Sequence, residues 1–156
     1  MKRRIFVPGL ILALALVSMS FKCDNGGNGN TTSDPLRKYA KALDDMAGAL
    51  NALTKAKRSL GEQSRITPAE ELNLTNKLKT ANDATTIAFN RVKALSTIDP
   101  ASRTELRTLF DAISAAMGDL NSSGILGLSN TESRSKLSKI FAGVTTALAV
   151  LSTLQS

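Results

Sequence analysis

The chain has 156 residues, a formal charge of +7, no histidine, no tryptophan and one cysteine. Without histidine it lacks the commonest general base and metal ligand, and a single thiol cannot assemble a zinc site of recognisable spacing, so no cofactor or metal is expected. Four of its 20 basic residues, Lys2, Arg3, Arg4 and Lys22, precede Cys23; from Cys23 onward 16 basic residues face 13 acidic ones with only four aromatics, Tyr39, Phe89, Phe110 and Phe141, so neither charge nor stacking platforms point to nucleic acid.

Lys2, Arg3 and Arg4 are followed by an apolar run over residues 5–17 and then by Ser18, Met19 and Ser20. A basic start, a short apolar run and small residues near its exit are the parts of a secretory signal peptide, here residues 1–22. The run is shorter than the ~20 apolar residues of a membrane span. The next stretch, SFKCDNGGNGNTTSDP, holds the only cysteine. Standing just after the apolar run and before Asp24, Asn25, Gly26 and Gly27, Cys23 resembles the lipid-accepting cysteine of a bacterial lipoprotein. The resemblance covers the leader and Cys23 only. It implies export, acylation of Cys23 and an N-terminal lipid anchor in a membrane, with the protein periplasmic or at the cell surface. Lys22 stands where that family has a small residue and Ser20 where it usually has an aliphatic one. The alternative is cleavage after Ser20, which leaves a secreted soluble chain whose odd thiol suits intermolecular pairing. Residues 23–33 are too polar and too rich in Gly and Asn to fold, and are expected to form a disordered tether. Asp24, Asn28 and Gly29 echo a calcium loop, but the closing position falls on Pro35 rather than on a glutamate.

From residue 34 the chain punctuates itself. Asp34-Pro35, Thr67-Pro68 and Asp99-Pro100 each join an N-cap residue to a proline suited to a first helical turn. Thr67 and Glu70 have the spacing of a capping box, as do Ser102 with Glu105 and Ser129 with Glu132. Helices are therefore predicted at about 35–60, 68–95, 101–120 and 131–154. The first carries Leu36, Tyr39, Leu43, Met46, Leu50, Leu53 and Leu60 at three-four spacing, with Lys57 in one place. The second carries Leu74, Leu78, Ala81, Ala88, Val92 and Leu95, with Ile87 and Phe89 beside them. The third offers Leu106, Leu109, Phe110, Ile113, Met117 and Leu120 and is expected to stop at Asn121-Ser122-Ser123-Gly124. The fourth holds Leu137, Ile140, Phe141, Val144, Leu148, Leu151 and Leu154. No long segment alternates with period two, and the connections are short, so the prediction is all-α: an antiparallel up-down-up-down four-helix bundle over residues 34–156. Gly48, Gly118 and Gly143, inside helices, suggest close helix crossings in preference to the alternative, the lining of a small cavity. Lys55, Lys57, Arg58 and Arg65 gather near a helix end, where cations complement the dipole.

The acidic neighbours Asp44-Asp45 and Glu70-Glu71 point about 100° apart on a helix and read as solvated faces, so no catalytic residue is assigned and no enzyme is expected. From Ile140 to the C-terminus there is no charged side chain. One side of that helix is apolar; the other presents Ala142, Thr145, Thr146, Ala149, Ser152 and Thr153, a small uncharged face suited to helix contact. The expected function is a binding or scaffolding module in the cell envelope, with the membrane and an envelope or extracellular protein as partners and a homo-oligomer as a further possibility. Two alternatives stand beside it. One is a membrane-active protein that uses its apolar C-terminal helix and the loop 124–128. The other is a carboxylate-based enzyme.

Overall fold

A computed structural model describes residues 35–154. Four helices, α1 (Pro35–Glu62), α2 (Pro68–Ala94), α3 (Pro100–Asp119) and α4 (Thr131–Thr153), are joined by short connections, and no strand occurs among the described residues. The helix starts follow local chemistry. Thr67 accepts from the Glu70 amide at 3.2 Å while the Glu70 carboxylate takes the Thr67 amide at 2.7 Å, a complete capping box. At the starts of α3 and α4 the caps are Asp99, which accepts from Ser102 N–H at 2.7 Å, and Asn130, which accepts from Ser133 N–H at 2.9 Å, while Asp34, expected to cap α1, lies outside the described residues. Ser102 and Ser129, which have the right spacing to Glu105 and Glu132, are therefore not the caps. Asp99 and Asn130 come ahead because each lies one step outside the first helical residue, where a side-chain oxygen can reach back over the free amides.

The third helix does not stop at Asn121. After Asp119 the backbone widens into a π-helical segment, Leu120–Ile125, in which Leu126 N–H donates to Asn121 O at 2.8 Å, five residues back. Tertiary packing holds this segment against its weak propensity, since Leu120 and Ile125 are fully buried and Leu128 nearly so. Gly124 lies against Leu74 and Leu120, whose methyls would stand 3.3 and 3.4 Å from an added Cβ.

Contacts at the ends fix the direction of each helix. Lys57 of α1 reaches Thr75 of α2 at 2.8 Å, Lys77 of α2 reaches Asp119 at the end of α3 at 2.6 Å, and Arg91 of α2 reaches Glu105 of α3 at 2.6 Å. Tyr39 Oη donates to Leu154 O, at the end of α4, at 2.5 Å. Each neighbour is antiparallel to the last, and the bundle runs up-down-up-down. Helix α1 packs closely on α2 and α4, and α2 on α3, whereas α3 and α4 barely touch.

One core fills the bundle, and every predicted seam residue of α1 is buried in it. Ala56 fills the place beside Lys57, whose stem runs along the apolar surface while its ammonium meets Glu71 at 3.6 Å. In α2 the gap between Ala81 and Ala88 is filled by Thr85, buried with its hydroxyl donating to Ala81 O at 2.8 Å. Ile87 instead faces solvent. Among the described residues the core runs from Leu36 to Leu151, and these residues lie in one compact unit. The glycines behave differently from the expected crossings. Nothing lies within 4 Å of a Cβ added at Gly48 or Gly118, and only Gly143 faces another helix, at 3.6 Å from Ala49 Cβ.

Candidate binding site

The two ends of the bundle are built differently. At one end the α1–α2 connection, the π-helical segment and the start of α4 close over the core. Leu53, Leu74, Leu78, Leu120, Ile125 and Leu137 leave no space for a water molecule between them. The Glu70 carboxylate is the polar centre of this end. Besides the Thr67 amide it accepts the Ser129 amide at 2.7 Å, so one side chain ties the start of α2 to the segment before α4. Those two backbone donors hold its pKa down to about 2. Arg65 pairs with Glu132, and the buried Ser133 hydroxyl donates to Arg65 O at 3.1 Å. Lys57 and Arg65 thus bind particular carboxylates instead of serving a helix dipole, and Glu70 and Glu71 are both engaged in holding helices together.

At the other end the bundle is open. Because α3 and α4 separate, a cleft of about 660 Å³ remains between the start of α1, the α2–α3 connection, the start of α3 and Leu154. Leu36, Ile98, Leu106 and Leu154 supply its apolar lining; Tyr39, Thr104, Arg103 and Arg107 supply its polar one. Tyr39 packs on Phe110 with ring centroids 5.1 Å apart. Burial raises the Tyr39 pKa, and the nearby Arg103 charge partly opposes that rise. Arg103 and Arg107 are one turn apart, are exposed, and have no acidic partner among the described residues. In sequence they look like ordinary surface residues of α3. Only the fold brings them beside Tyr39 and Leu154.

The six residues expected to form a contact face, Ala142, Thr145, Thr146, Ala149, Ser152 and Thr153, are all exposed on α4. Thr146 Oγ1 donates to Ala142 O at 3.1 Å and Thr145 Oγ1 to Phe141 O at 3.4 Å, so both hydroxyls turn back onto the helix. Beside this face, α1 and α4 leave a shallow groove of about 500 Å³ lined by Lys38, Lys41, Ala42, Asp45, Gly143, Thr146, Ala147 and Val150. Of the six, Thr146 alone lines it. The loop 124–128, considered above for bilayer contact, is mostly core: Gly124, Ile125 and Leu128 are buried, and Leu126 and Gly127 are exposed. No helix among the described residues is long and apolar enough to cross a membrane. Among the same residues no cluster of three or more carboxylate or thiol side chains could hold a metal ion. Cys23, with the leader and tether around it, lies outside the described residues.

The fold and its surfaces define a four-helix bundle with one closed and one open end. No protein-family model matches the sequence, and neither the curated proteins nor the solved structures contain a match to it.

Proposed function

We propose that this protein is exported, acylated at Cys23 and held in an envelope membrane, where its bundle serves as a binding or scaffolding module that presents α4 to a protein partner. The observation that carries the reading is the α4 face itself: six exposed residues without a charge, on a helix whose hydroxyls at Thr145 and Thr146 are already satisfied by its own carbonyls. A surface of that kind gives up little hydration when another helix covers it. The leader, with its basic start and short apolar run, supports export. Burial of Ile125 and Leu128 in the core weighs against the loop 124–128 as a bilayer contact, and the interhelical contacts of Glu70 and Glu71 give that acidic pair a structural role.

Two experiments test the reading. Labelled fatty acid should enter the wild type and not Cys23→Ser; incorporation into neither, with a mature chain beginning at Phe21, would leave the secreted form. Thr146→Lys with Thr153→Lys should change stability by less than ~1 kcal/mol while dispersing any oligomer or partner complex in cross-linking of intact envelopes. Unchanged cross-links would remove the α4 face from the proposal.

A further inference from the structure

The open end of the bundle is also its basic end. Take the eight residues of each helix nearest that end, with Leu154 and the connection 95–99. They hold seven basic side chains, Arg37, Lys38, Lys41, Arg91, Lys93, Arg103 and Arg107, against two acidic ones, Asp99 and Glu105. The rest of the described bundle holds nine of each sign, so its whole excess of positive charge lies here. Asp34, next in sequence before Pro35, offsets one unit. Two of the seven meet carboxylates, Lys41 at Asp45 and Arg91 at Glu105. Arg37, Lys38, Arg103 and Arg107 are exposed and have no acidic partner among the described residues.

From these observations we propose that the open end is a docking face for an anionic phospholipid surface, with Arg103 and Arg107 at the cleft and Arg37 and Lys38 at the start of α1 binding headgroup phosphates. Charge complementarity is the first argument. A negatively charged bilayer attracts each nearby Lys or Arg independently of sequence, and the attraction fades within a Debye length. Only charges gathered on one face can act together in that way. Chain reach is the second argument, and it rests on the anchored reading given above. Residues 24–34 span at most about 40 Å when fully extended, and they join the bundle at Pro35, on this end. An anchor at Cys23 therefore keeps the start of α1, and with it the basic end, within ~40 Å of its membrane, whereas the closed end lies a further ~40 Å along α1 at ~1.5 Å per residue.

The test uses residues 34–156, which contain the core from Leu36 to Leu151, lie in one compact unit and lack Cys23. That fragment should sediment with vesicles of equal parts phosphatidylglycerol and phosphatidylcholine, stay in solution with phosphatidylcholine alone, and be released at about 1 M salt, where the Debye length is ~3 Å. Arg103→Gln with Arg107→Gln should weaken vesicle binding more than tenfold, since each cation contributes roughly fivefold near such a surface. Arg58→Gln with Lys136→Gln, exposed at the closed end, should weaken it less than twofold. Equal losses in the two pairs, or no binding by the unaltered fragment, would overturn the proposal. So would displacement by inorganic phosphate at an ionic strength matched with chloride, which would mark a free-anion site in the cleft. Acylation and vesicle binding are read separately, so failure of either leaves the other standing.

Discussion

The closed and open ends are made from the same helices and the same kinds of apolar residue, yet only one is sealed. At the closed end the π-helical segment inserts Leu120 and Ile125 between α2 and α4, and Glu70 joins two chain segments through their backbone amides. At the open end no described segment fills the gap between α3 and α4, and a hydrogen bond from Tyr39 to Leu154 O links the outer turns of α1 and α4. Stability should accordingly be concentrated where the bundle is closed, and surface recognition where it is open.

The largest expected difference follows from cavity formation. Ile125→Ala removes a fully buried side chain from a region with no space for water, and should cost about 2–5 kcal/mol. Leu36→Ala removes a residue that lines an existing cleft and is already 8 % exposed, so it should cost under about 2 kcal/mol. Urea denaturation of both variants, compared at equal slope, measures the contrast directly. Equal losses would mean that the two ends are equally well packed.

Much of this architecture is legible in the sequence, and the misses have definite causes. The large residues of the α1 seam from Leu36 to Leu60 are legible because a long helix packed against two neighbours keeps its three-four periodicity, broken only at Lys57; the small residues Ala42 and Ala56, also buried, are not. The capping box at Thr67 is local chemistry and is equally legible. The segment 121–124 reads as a stop because Asn, Ser and Gly are weak helix formers; burial of Leu120 and Ile125 against α2 is a tertiary effect that no local pattern records. Thr85 and Ser133 look like surface residues and are buried, since each hydroxyl is satisfied by a backbone carbonyl. The cleft is the least legible feature. Arg103 and Arg107 have no unusual spacing, and their meaning depends on the separation of α3 from α4.

Glycines sharpen the same contrast with a change of sign. A Cβ at Gly127 would stand 2.8 Å from the Ser123 carbonyl oxygen, a backbone atom in the closed end, so Gly127→Ala should destabilise by about 1–3 kcal/mol. Gly48→Ala, with nothing within 4 Å, should stabilise by about 0.5–1 kcal/mol through the better helix propensity of alanine. Thermal melts of the two variants should move in opposite directions. A fall in both would place an unseen constraint at Gly48.

Glu70 makes the closed end sensitive to acid. Its folded pKa of about 2 lies below the ordinary value of 4.5, so its contribution is complete above pH 4.5 and is lost as pH falls through 2. The carboxylate is only partly buried and solvent screens it, which reduces the contribution to about 1 kcal/mol. Glu70→Gln keeps an acceptor for one amide and loses the other, and should lower stability by about that amount at neutral pH. Its stability should then change less between pH 4.5 and 2 than that of the wild type, as followed by denaturant midpoints across that range.

Tyr39 tests the open end with the smallest expected effect. Tyr39→Phe keeps the ring against Phe110 and removes only the hydrogen bond to Leu154 O. Removing a partner from a sealed site would leave a buried carbonyl unsatisfied, at a cost of about 1–3 kcal/mol. Here the carbonyl lies at the mouth of the cleft, where water can take the place of the hydroxyl, so about 0.5 kcal/mol is expected. The pH dependence has the opposite sense to that of Glu70. Burial raises the Tyr39 pKa above 10.0, so the folded state holds the phenolic proton more tightly than the unfolded state does. Its stabilisation is complete below pH 10 and is lost as pH rises further, and the phenylalanine variant should lack that alkaline loss. Stability curves of the two proteins should therefore converge above pH 10, whereas a gap that stays constant would mean that Tyr39 titrates as freely as a solvent-exposed tyrosine and that this end is more open than the packing of Tyr39 on Phe110 implies.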